Sequence, residues 1–213
     1  MTAAHPLAGL TADQREVLGA IAWTAIREGL AGGAGRRGVG RLQPMRVDAG
    51  SWTTGDGDWL RRPGATFVTL HRDGELRGCI GTLAAAQPIG QDVADHAFGA
   101  AFEDPRFRPL SEGEYGGLEL HISVLGQPEP MSAGSRQAVI NALRPGVDGL
   151  VLRCGGLRAT FLPAVWQSLP VPADFVSHLM RKAGLAADGW PEGMAAERYG
   201  VEEWQVPIPM TGS

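Results

Sequence analysis

The sequence predicts an α+β fold, in which a mixed or antiparallel sheet with hairpins is flanked by helices. Strand-like runs come in pairs joined by tight turns, which favours hairpins over a regularly alternating βαβ fold. Stretches with helical periodicity lie before, between and after these pairs. Of the 213 residues 44% are hydrophobic, so the 31 glycines and 15 prolines indicate many turns in a folded chain and not disorder.

An N-terminal helix is predicted from residue 12 to about residue 29, after a tail over residues 1–11. Thr11 and Gln14 have the spacing of a capping box, and apolar residues then recur at helical intervals. Residues 31–41 are rich in glycine and arginine, which predicts a variable surface loop.

Two hairpins and further single elements follow along the chain. The first hairpin turns at Asp73 and Gly74 and the second at Gly155 and Gly156, residue types that tight hairpin turns require. The predicted strands span residues 65–71, 75–80, 118–125, 150–154, 157–161 and 198–206, of which 118–125 has the alternation of a half-buried strand. The predicted helical segments span residues 88–102, 136–143, 163–169 and 173–183.

Charge and cysteine content exclude several classes of protein. The net charge of −4 lacks the cationic excess that binding to nucleic-acid phosphates usually requires. Two cysteines, Cys79 and Cys154, are too few for the disulfide framework of a small secreted domain. The longest apolar stretch near the N-terminus, residues 17–26, is shorter than the roughly 20 residues of a membrane span. We therefore expect a soluble, cytoplasmic protein that does not act on membranes.

Cofactor motifs are weak or absent in the sequence. Residues 33–38 match G-x-G-x-x-G, but they follow a helix and not a strand, so a flexible loop is favoured over a dinucleotide site. No C-x-x-C, H-x-H or H-E-x-x-H spacing occurs, and Asp92 and His96 are typical of an ordinary surface pair at i,i+4. No metal or cofactor is predicted, although ligands assembled from distant residues stay open.

The segment 76–82 carries the most informative chemistry. In an extended chain Arg77 and Cys79 point to the same face, and a guanidinium beside a thiol favours the nucleophilic thiolate. Gly78 and Gly81 have no side chains, so a ligand or another strand could approach their backbone closely. The alternative is a core strand with a small buried cysteine and glycine bulges.

Glu119, His121 and Ser123 form a second group, because they share one face of their predicted strand. If that strand lies beside Cys79, His121 could serve as its base and Glu119 could orient a polar ligand. The alternative is a strand surface that faces solvent.

Asp104 and Arg106 form a third group, just after the predicted helix that ends near residue 102. They could grip a charged ligand. A local ion pair at a helix end that proline terminates explains them equally well.

The heptad Leu76-Arg77-Gly78-Cys79-Ile80-Gly81-Thr82 resembles the signature of the AMMECR family. Similar strings lie at residues 67–70, 101–107, 109–110, 122–125, 149–150, 161–165 and 181–185. The resemblance covers residues 12 to 206 and implies one domain there, with tails over 1–11 and 207–213. It also implies an α+β fold with a larger and a smaller subdomain, the signature lying in the larger, and a cytoplasmic location.

The resemblance implies partners as well. Such proteins in bacteria and archaea are often encoded or fused with a Memo-type protein that resembles extradiol dioxygenases and with a radical S-adenosylmethionine (SAM) protein. This AmmeMemoRadiSam grouping suggests a metabolic or modification pathway. Memo-like and radical SAM proteins are therefore the expected partner proteins, and a small molecule is the expected ligand.

The first functional hypothesis is an enzyme that acts on a small molecule or a protein side chain. Cys79 would be its thiolate nucleophile or covalent anchor, Arg77 the electrostatic support and His121 the general base. The substrate-binding residues would be Arg77, Gly78, Gly81, Thr82, Asp104, Arg106, Glu119 and Ser123. The alternatives are a non-catalytic scaffold for a Memo-like or radical SAM protein, and RNA binding through Arg36, Arg37 and Arg41.

Overall fold

The computed structural model describes residues 9–34, 45–52, 57–132 and 134–209. The chain divides into two units, of which the larger combines the residues up to Leu125 with those from Glu202 and the smaller is Gly126–Val201. In the described residues the helices are α1 (Ala12–Ala31), α2 (Ala49–Trp52), α3 (Ile89–Phe102), α4 (Arg136–Ala142) and α5 (Pro172–Lys182). The strands there are β1 (Pro63–Gly64), β2 (Thr66–Arg72), β3 (Glu75–Gly81), β4 (Gln87–Pro88), β5 (Leu118–Leu125), β6 (Glu129–Pro130), β7 (Gly149–Cys154), β8 (Leu157–Phe161), β9 (Ala195–Tyr199) and β10 (Val201–Val206).

The larger unit is built around a four-stranded sheet with the order β10-β5-β2-β3. Val68 and Leu70 of β2 and Leu120 and Ile122 of β5 are fully buried in one core with residues of α1 and α3. Since these four are alternate positions of their strands, the intervening side chains lie on the opposite face of the sheet. The predicted α+β class is confirmed.

Helix α1 begins where the sequence predicts it. Gln14 N–H donates to Thr11 Oγ1 at 3.2 Å, and Thr11 N–H donates to Gln14 Oε1 at 3.0 Å, so the capping box is present. Leu18, Ile21 and Ile26 are fully buried, as the helical periodicity indicates. The helix continues to Ala31, two residues beyond its predicted end.

Strands β2 and β3 form the first predicted hairpin. Asp73 and Gly74 have φ values of 54° and 80°, the left-handed conformation that a two-residue hairpin turn needs. The register shifts by one residue between Leu70 and His71, so that Arg77 of β3 has no opposite residue on β2. This β-bulge determines which face of the sheet each later residue of β3 occupies.

The smaller unit has a sheet with the order β6-β9-β7-β8 and its own core. Phe175 of α5 is fully buried and stacks on Trp166 with a centroid distance of 3.9 Å and an interplanar angle of 5°. Gly155 has a φ of 58° in the β7–β8 turn, which agrees with the second predicted hairpin.

The single closing strand predicted over residues 198–206 is wrong. The chain forms two strands here, β9 and β10, which belong to different sheets and are separated by Gly200. Strand β9 pairs with β7, whereas β10 lies next to β5. A continuous run of strand-forming residues does not show where a chain leaves one sheet for another.

The interpretation of Asp92 and His96 as a surface pair is also wrong. The Asp92 side chain is 1% exposed, and His96 Nδ1 lies 3.2 Å from its Oδ2. The same oxygen accepts hydrogen bonds from Thr66 N–H at 2.9 Å and from Thr66 Oγ1 at 2.7 Å. The carboxylate thus joins α3 to the start of β2, a tertiary role that the helical spacing alone does not reveal.

Within the described part of the chain, no helix combines the length and apolar character that would be needed to cross a membrane. Residues 35–38 of the G-x-G-x-x-G match lie outside the described residues. So do Arg36, Arg37 and Arg41, which the RNA hypothesis invokes.

Candidate functional site

Cys79 lies on β3, the strand at one edge of the larger unit's sheet. Its backbone N–H and carbonyl groups point outward from this edge, away from β2. Cys79 N–H donates to Asp104 Oδ2 at 2.9 Å, and Arg106 Nη2 donates to the Cys79 carbonyl oxygen at 3.3 Å. The carboxylate and the guanidinium therefore satisfy the two backbone groups that a neighbouring strand would otherwise pair. They fix the position of Cys79 from its outer side.

The side chain of Cys79 lies on the face of the sheet that also carries Thr69 and His121. Cys79 lies opposite Thr69 of β2, and both Cys79 backbone groups point outward, so these two residues form a non-hydrogen-bonded pair with closely spaced side chains. Thr69 Oγ1 donates to Cys79 Sγ at 3.3 Å. The thiol is half-buried.

Asp104 and Arg106 form the ion pair that holds Cys79. Arg106 Nε lies 2.9 Å from Asp104 Oδ1, and Arg106 Nη2 lies 2.6 Å from Oδ2, a bidentate arrangement. Arg106 N–H also donates to Asp104 Oδ1 at 3.1 Å, which closes a tight turn over Pro105. The sequence Asp-Pro-Arg therefore pre-organises its own ion pair.

Asp104 and Arg106 shift each other's pKa. The hydrogen bond from Arg106 holds the pKa of Asp104 far below its usual range, and the Cys79 N–H adds to this effect although burial opposes it. The same Asp104 hydrogen bond raises the pKa of Arg106, and the negative charge of a Cys79 thiolate raises it further. A guanidinium is therefore within electrostatic reach of the thiol, but it belongs to Arg106.

Arg77, the predicted support of the thiol, has other partners. Its Nε lies 2.9 Å from Glu114 Oε1, and its Nη2 donates to the Arg108 carbonyl oxygen at 2.8 Å. This pairing lowers the pKa of Glu114 to about 2, against the effect of burial. Arg77 occupies the bulge of β3, and for this reason the alternation argument does not place it beside Cys79.

Gly78 and Gly81 are required by packing within the protein. A Cβ atom at Gly78 would overlap the carbonyl oxygen of Ala100 in α3, and one at Gly81 would overlap the Phe67 ring and the Thr66 carbonyl oxygen. The helix and the aromatic ring thus occupy the space that the sequence assigned to a ligand or another strand.

Thr82 ends the signature in a turn. Its N–H donates to the Thr66 carbonyl oxygen at 3.0 Å, and its Oγ1 accepts from Ala84 N–H at 3.2 Å. Both groups therefore stabilise the chain where it leaves β3.

The residues predicted on β5 are not next to Cys79, because β2 lies between the two strands. His121 and Cys79 both lie opposite Thr69, on the strands that flank β2. Their backbones are therefore about 9.6 Å apart, at two strand spacings. Ser123 Oγ donates to Glu203 Oε2 at 3.0 Å, and the exposed Glu119 lies opposite His71.

Sequence reasoning missed Thr69, Phe107 and Glu114. Thr69 is the hydrogen-bond donor to the thiol, and Glu114 pairs with Arg77. The Phe107 ring lies under two guanidinium groups, with its centroid 6.0 Å from Arg77 Cζ and 5.4 Å from Arg106 Cζ. Alternation within residues 66–72 could have placed Thr69 on the face away from the core, but not opposite Cys79.

The described residues contain no group of three or more histidine, cysteine, aspartate or glutamate side chains that could hold a metal ion. The site as described consists of a thiol, a hydroxyl donor and an arginine–carboxylate pair.

Comparison with known proteins identifies the chain's relatives. A family model described as AMMECR1 matches residues 40–204. The chain belongs to the AMMECR1 family. A relative of this AMMECR1 chain from Thermotoga maritima is 36% identical over 149 residues, which cover 68% of this chain and 79% of the relative. A relative from Methanothermobacter thermautotrophicus is 36% identical over 132 residues, or 62% of this chain and 69% of the relative.

A solved structure is similar over nearly the whole AMMECR1 chain. The crystal structure of an uncharacterized protein from Pyrococcus horikoshii has a TM-score of 0.66 and 28% sequence identity, covering 89% of this chain and 90% of that chain. The family resemblance carried by the signature heptad is thus confirmed, and the names of these relatives state no activity.

Proposed function

We propose that this AMMECR1-family protein is an enzyme that uses the Cys79 thiolate as a nucleophile toward a small molecule or a protein side chain. The observation that carries this proposal is the way Cys79 is held. Asp104 and Arg106 bind its two backbone groups, and the Thr69 hydroxyl donates to its half-buried Sγ. A cysteine that only fills a core needs neither an ion pair on its backbone groups nor a hydrogen-bond donor at its sulfur.

Each neighbour has a role that its position supports. The Thr69 hydroxyl donates to the sulfur and Arg106 donates to the Cys79 carbonyl oxygen, so both orient the nucleophile. The sulfur then donates an electron pair to an electrophilic carbon, and the displaced electron pair moves to that carbon's leaving group or to its carbonyl oxygen. Asp104 is a positioning residue, because it acts through Cys79 and Arg106.

His121 fits a role on the substrate better than one on the thiol. A base must lie within hydrogen-bond reach of the proton that it removes, or one water away. The backbones of His121 and Cys79 are about 9.6 Å apart, at two strand spacings. His121 Nδ1 lies 3.9 Å from Glu203 Oε1 on β10, on the side away from Cys79, so the imidazole does not meet this condition. The thiol proton passes to solvent, and His121 is positioned to exchange a proton with a substrate that extends along the sheet face.

Alkylation of the native protein tests this proposal. We expect iodoacetamide at pH 7 to modify Cys79 at least about tenfold faster than Cys154. Among the described residues, Thr69 Oγ1 donates to the Cys79 sulfur and Arg106 donates to the Cys79 carbonyl oxygen, whereas the Cys154 sulfur lies 4.0 Å from the Glu192 carbonyl oxygen. Peptide mapping by mass spectrometry measures both rates in the same sample. Equal rates at the two cysteines, or a faster rate at Cys154, would contradict the proposal.

A scaffold role is the second candidate, and the packing of the signature favours it. Gly78 and Gly81 admit α3 and Phe67, while Asp104 and Arg106 close the sheet edge, so all four residues help to build a rigid hairpin. Such a hairpin could dock a Memo-like or radical SAM partner. In that case Cys79→Ser would leave binding to the purified partner intact, whereas an enzyme would lose turnover.

A further inference from the structure

We propose that the substrate of the Cys79 site carries an anionic group, a carboxylate or a phosphate, which Arg106 binds beside the atom that the thiol attacks. This inference rests on the proposed function, because it names the substrate class of the same site. It is carried by the arrangement of charge around Cys79.

The charged group that a ligand meets at Cys79 is a cation. The side chain of Arg106 is 54% exposed, whereas that of its partner Asp104 is 2% exposed. Both Asp104 oxygens are already occupied, since Oδ1 accepts from Arg106 and Oδ2 accepts from Cys79 and Arg106. The carboxylate is therefore hidden under the guanidinium that it orients.

Arg106 is held by Asp104, and one of its nitrogens is not used in its hydrogen bonds to the described residues. Its Nε and Nη2 are bound to Asp104, and its Cζ lies 5.4 Å from the centroid of the Phe107 ring. Its side-chain hydrogen bonds to the described residues use Nε and Nη2, and the side chain is 54% exposed, so Nη1 is available to a ligand. A planar guanidinium that is fixed on two sides and open on the third binds an anion at little entropic cost.

One nitrogen of a second guanidinium at the same ring lacks an acceptor among the described residues. Arg77 Cζ lies 6.0 Å from the Phe107 centroid, and Arg77 Nη1 is buried without a hydrogen-bond partner among the described residues. Buried donors without a partner are rare in folded proteins. Two guanidinium groups therefore lie at the Phe107 ring, and one nitrogen of Arg77 has hydrogen-bonding capacity that the described residues do not use.

Two glutamates of this face lie on the other side of the sheet, and Glu114, which lies nearer, is paired with Arg77. Glu119 and Glu203 belong to β5 and β10, two and three strands away from β3, and Glu203 is engaged by Ser123. Near Cys79 the carboxylates of Asp104 and Glu114 are paired with arginines, whereas Glu119 and Glu203 lie toward the opposite edge. A substrate with its anionic group at Arg106 avoids both glutamates.

A pair of alkylating reagents tests the inference. Iodoacetate is anionic and iodoacetamide is neutral, but both form the same carbon–sulfur bond with loss of iodide. We measure the ratio of their rate constants at Cys79, and at N-acetylcysteinamide as a reference thiol. At low salt we expect this ratio to be about threefold or more higher at Cys79 than in the reference, and to approach the reference at 1 M NaCl.

Variants identify the residue responsible. Arg106→Gln should reduce the ratio at Cys79 to the reference value, and Arg106→Lys should keep most of the increase. Arg181→Gln, at an exposed arginine of α5 in the smaller unit, is the matched control and should change nothing. Circular dichroism of each variant checks that it is folded. A ratio that equals the reference in the wild type, or that is unchanged in Arg106→Gln, would overturn the inference.

The outcomes separate this inference from the function on which it rests. If Cys79 does not react with iodoacetamide, the proposed nucleophile itself fails. If Cys79 reacts with iodoacetamide but shows no preference for iodoacetate, only the anionic substrate fails. Protection of Cys79 from iodoacetamide by acetate or by inorganic phosphate, at equal ionic strength, then distinguishes a carboxylate site from a phosphate site. Protection by neither anion contradicts the inference.

Discussion

Replacing Gly78 with alanine is expected to lower the free energy of unfolding by about 3 kcal/mol. The new Cβ atom would overlap the carbonyl oxygen of Ala100, which is backbone inside α3 and cannot rotate away as a side chain can. Either α3 or β3 must shift, and the core between them loses its close packing. Denaturant unfolding followed by circular dichroism measures the change.

Gly116→Ala is the matched control for this prediction. A Cβ atom at Gly116 meets nothing within 4 Å, and its φ is not positive, so we expect a change within about 0.5 kcal/mol. If Gly78→Ala were as stable as Gly116→Ala, the close contact of α3 with the signature strand would be wrong.

Replacing Asp104 with alanine is expected to cost about 3 kcal/mol of stability at pH 7. The substitution leaves Cys79 N–H without its acceptor and removes the counter-charge of Arg106. Asp104→Asn should lie between alanine and the wild type, because an amide oxygen still accepts but the charge is lost. The exposed Asp188→Ala is the control, with a change expected within about 0.5 kcal/mol.

The cost of Asp104→Asn should also depend on pH. The folded-state pKa of Asp104 is depressed, so its contribution is fully present above the unfolded value of 3.8 and is lost as the pH falls toward the folded value. The difference in unfolding free energy between the wild type and Asp104→Asn should therefore shrink below about pH 4. A difference that stays constant from pH 7 to pH 2.5 would contradict the strong Arg106–Asp104 pairing.

The elements with strong local signals could be predicted from the sequence. The capping box of Thr11 and Gln14 and the Asp73-Gly74 turn each depend on residues next to one another in the chain. The break at Gly200 and the burial of Asp92 depend on contacts that form only in the folded protein. For this reason the α+β class was predictable, whereas the path of the last two strands was not.

The position of Cys79 depends on one bulge that periodicity does not reveal. If the hairpin register continued from the turn without a shift, Cys79 would lie opposite Val68, which faces the core. The shift at Leu70 and His71 places it opposite Thr69 on the other face. The sequence therefore left both a buried structural cysteine and a functional one open, and the bulge places Cys79 on the face that bears Thr69.

The hydrogen bond between Cys79 of the signature and Asp104 also could not be predicted from the sequence. Asp104 lies 25 residues after Cys79, and no local pattern indicates that its carboxylate meets the Cys79 N–H. Both residues were recognised as candidates, but as separate groups. Their contact explains why Arg106 lies against the Cys79 backbone, whereas the adjacent Arg77 pairs with Glu114.

Dependence of substrate consumption on Cys79 is the most direct test of the enzymatic proposal. Purified wild type, Cys79→Ser and Cys154→Ser are incubated with a small-molecule and peptide extract, and mass spectrometry follows each compound over time. We expect at least one compound to be consumed by the wild type and by Cys154→Ser at similar rates, and at least about 100-fold more slowly by Cys79→Ser. Consumption by Cys79→Ser at the wild-type rate, or no compound whose consumption depends on Cys79, would contradict the proposal.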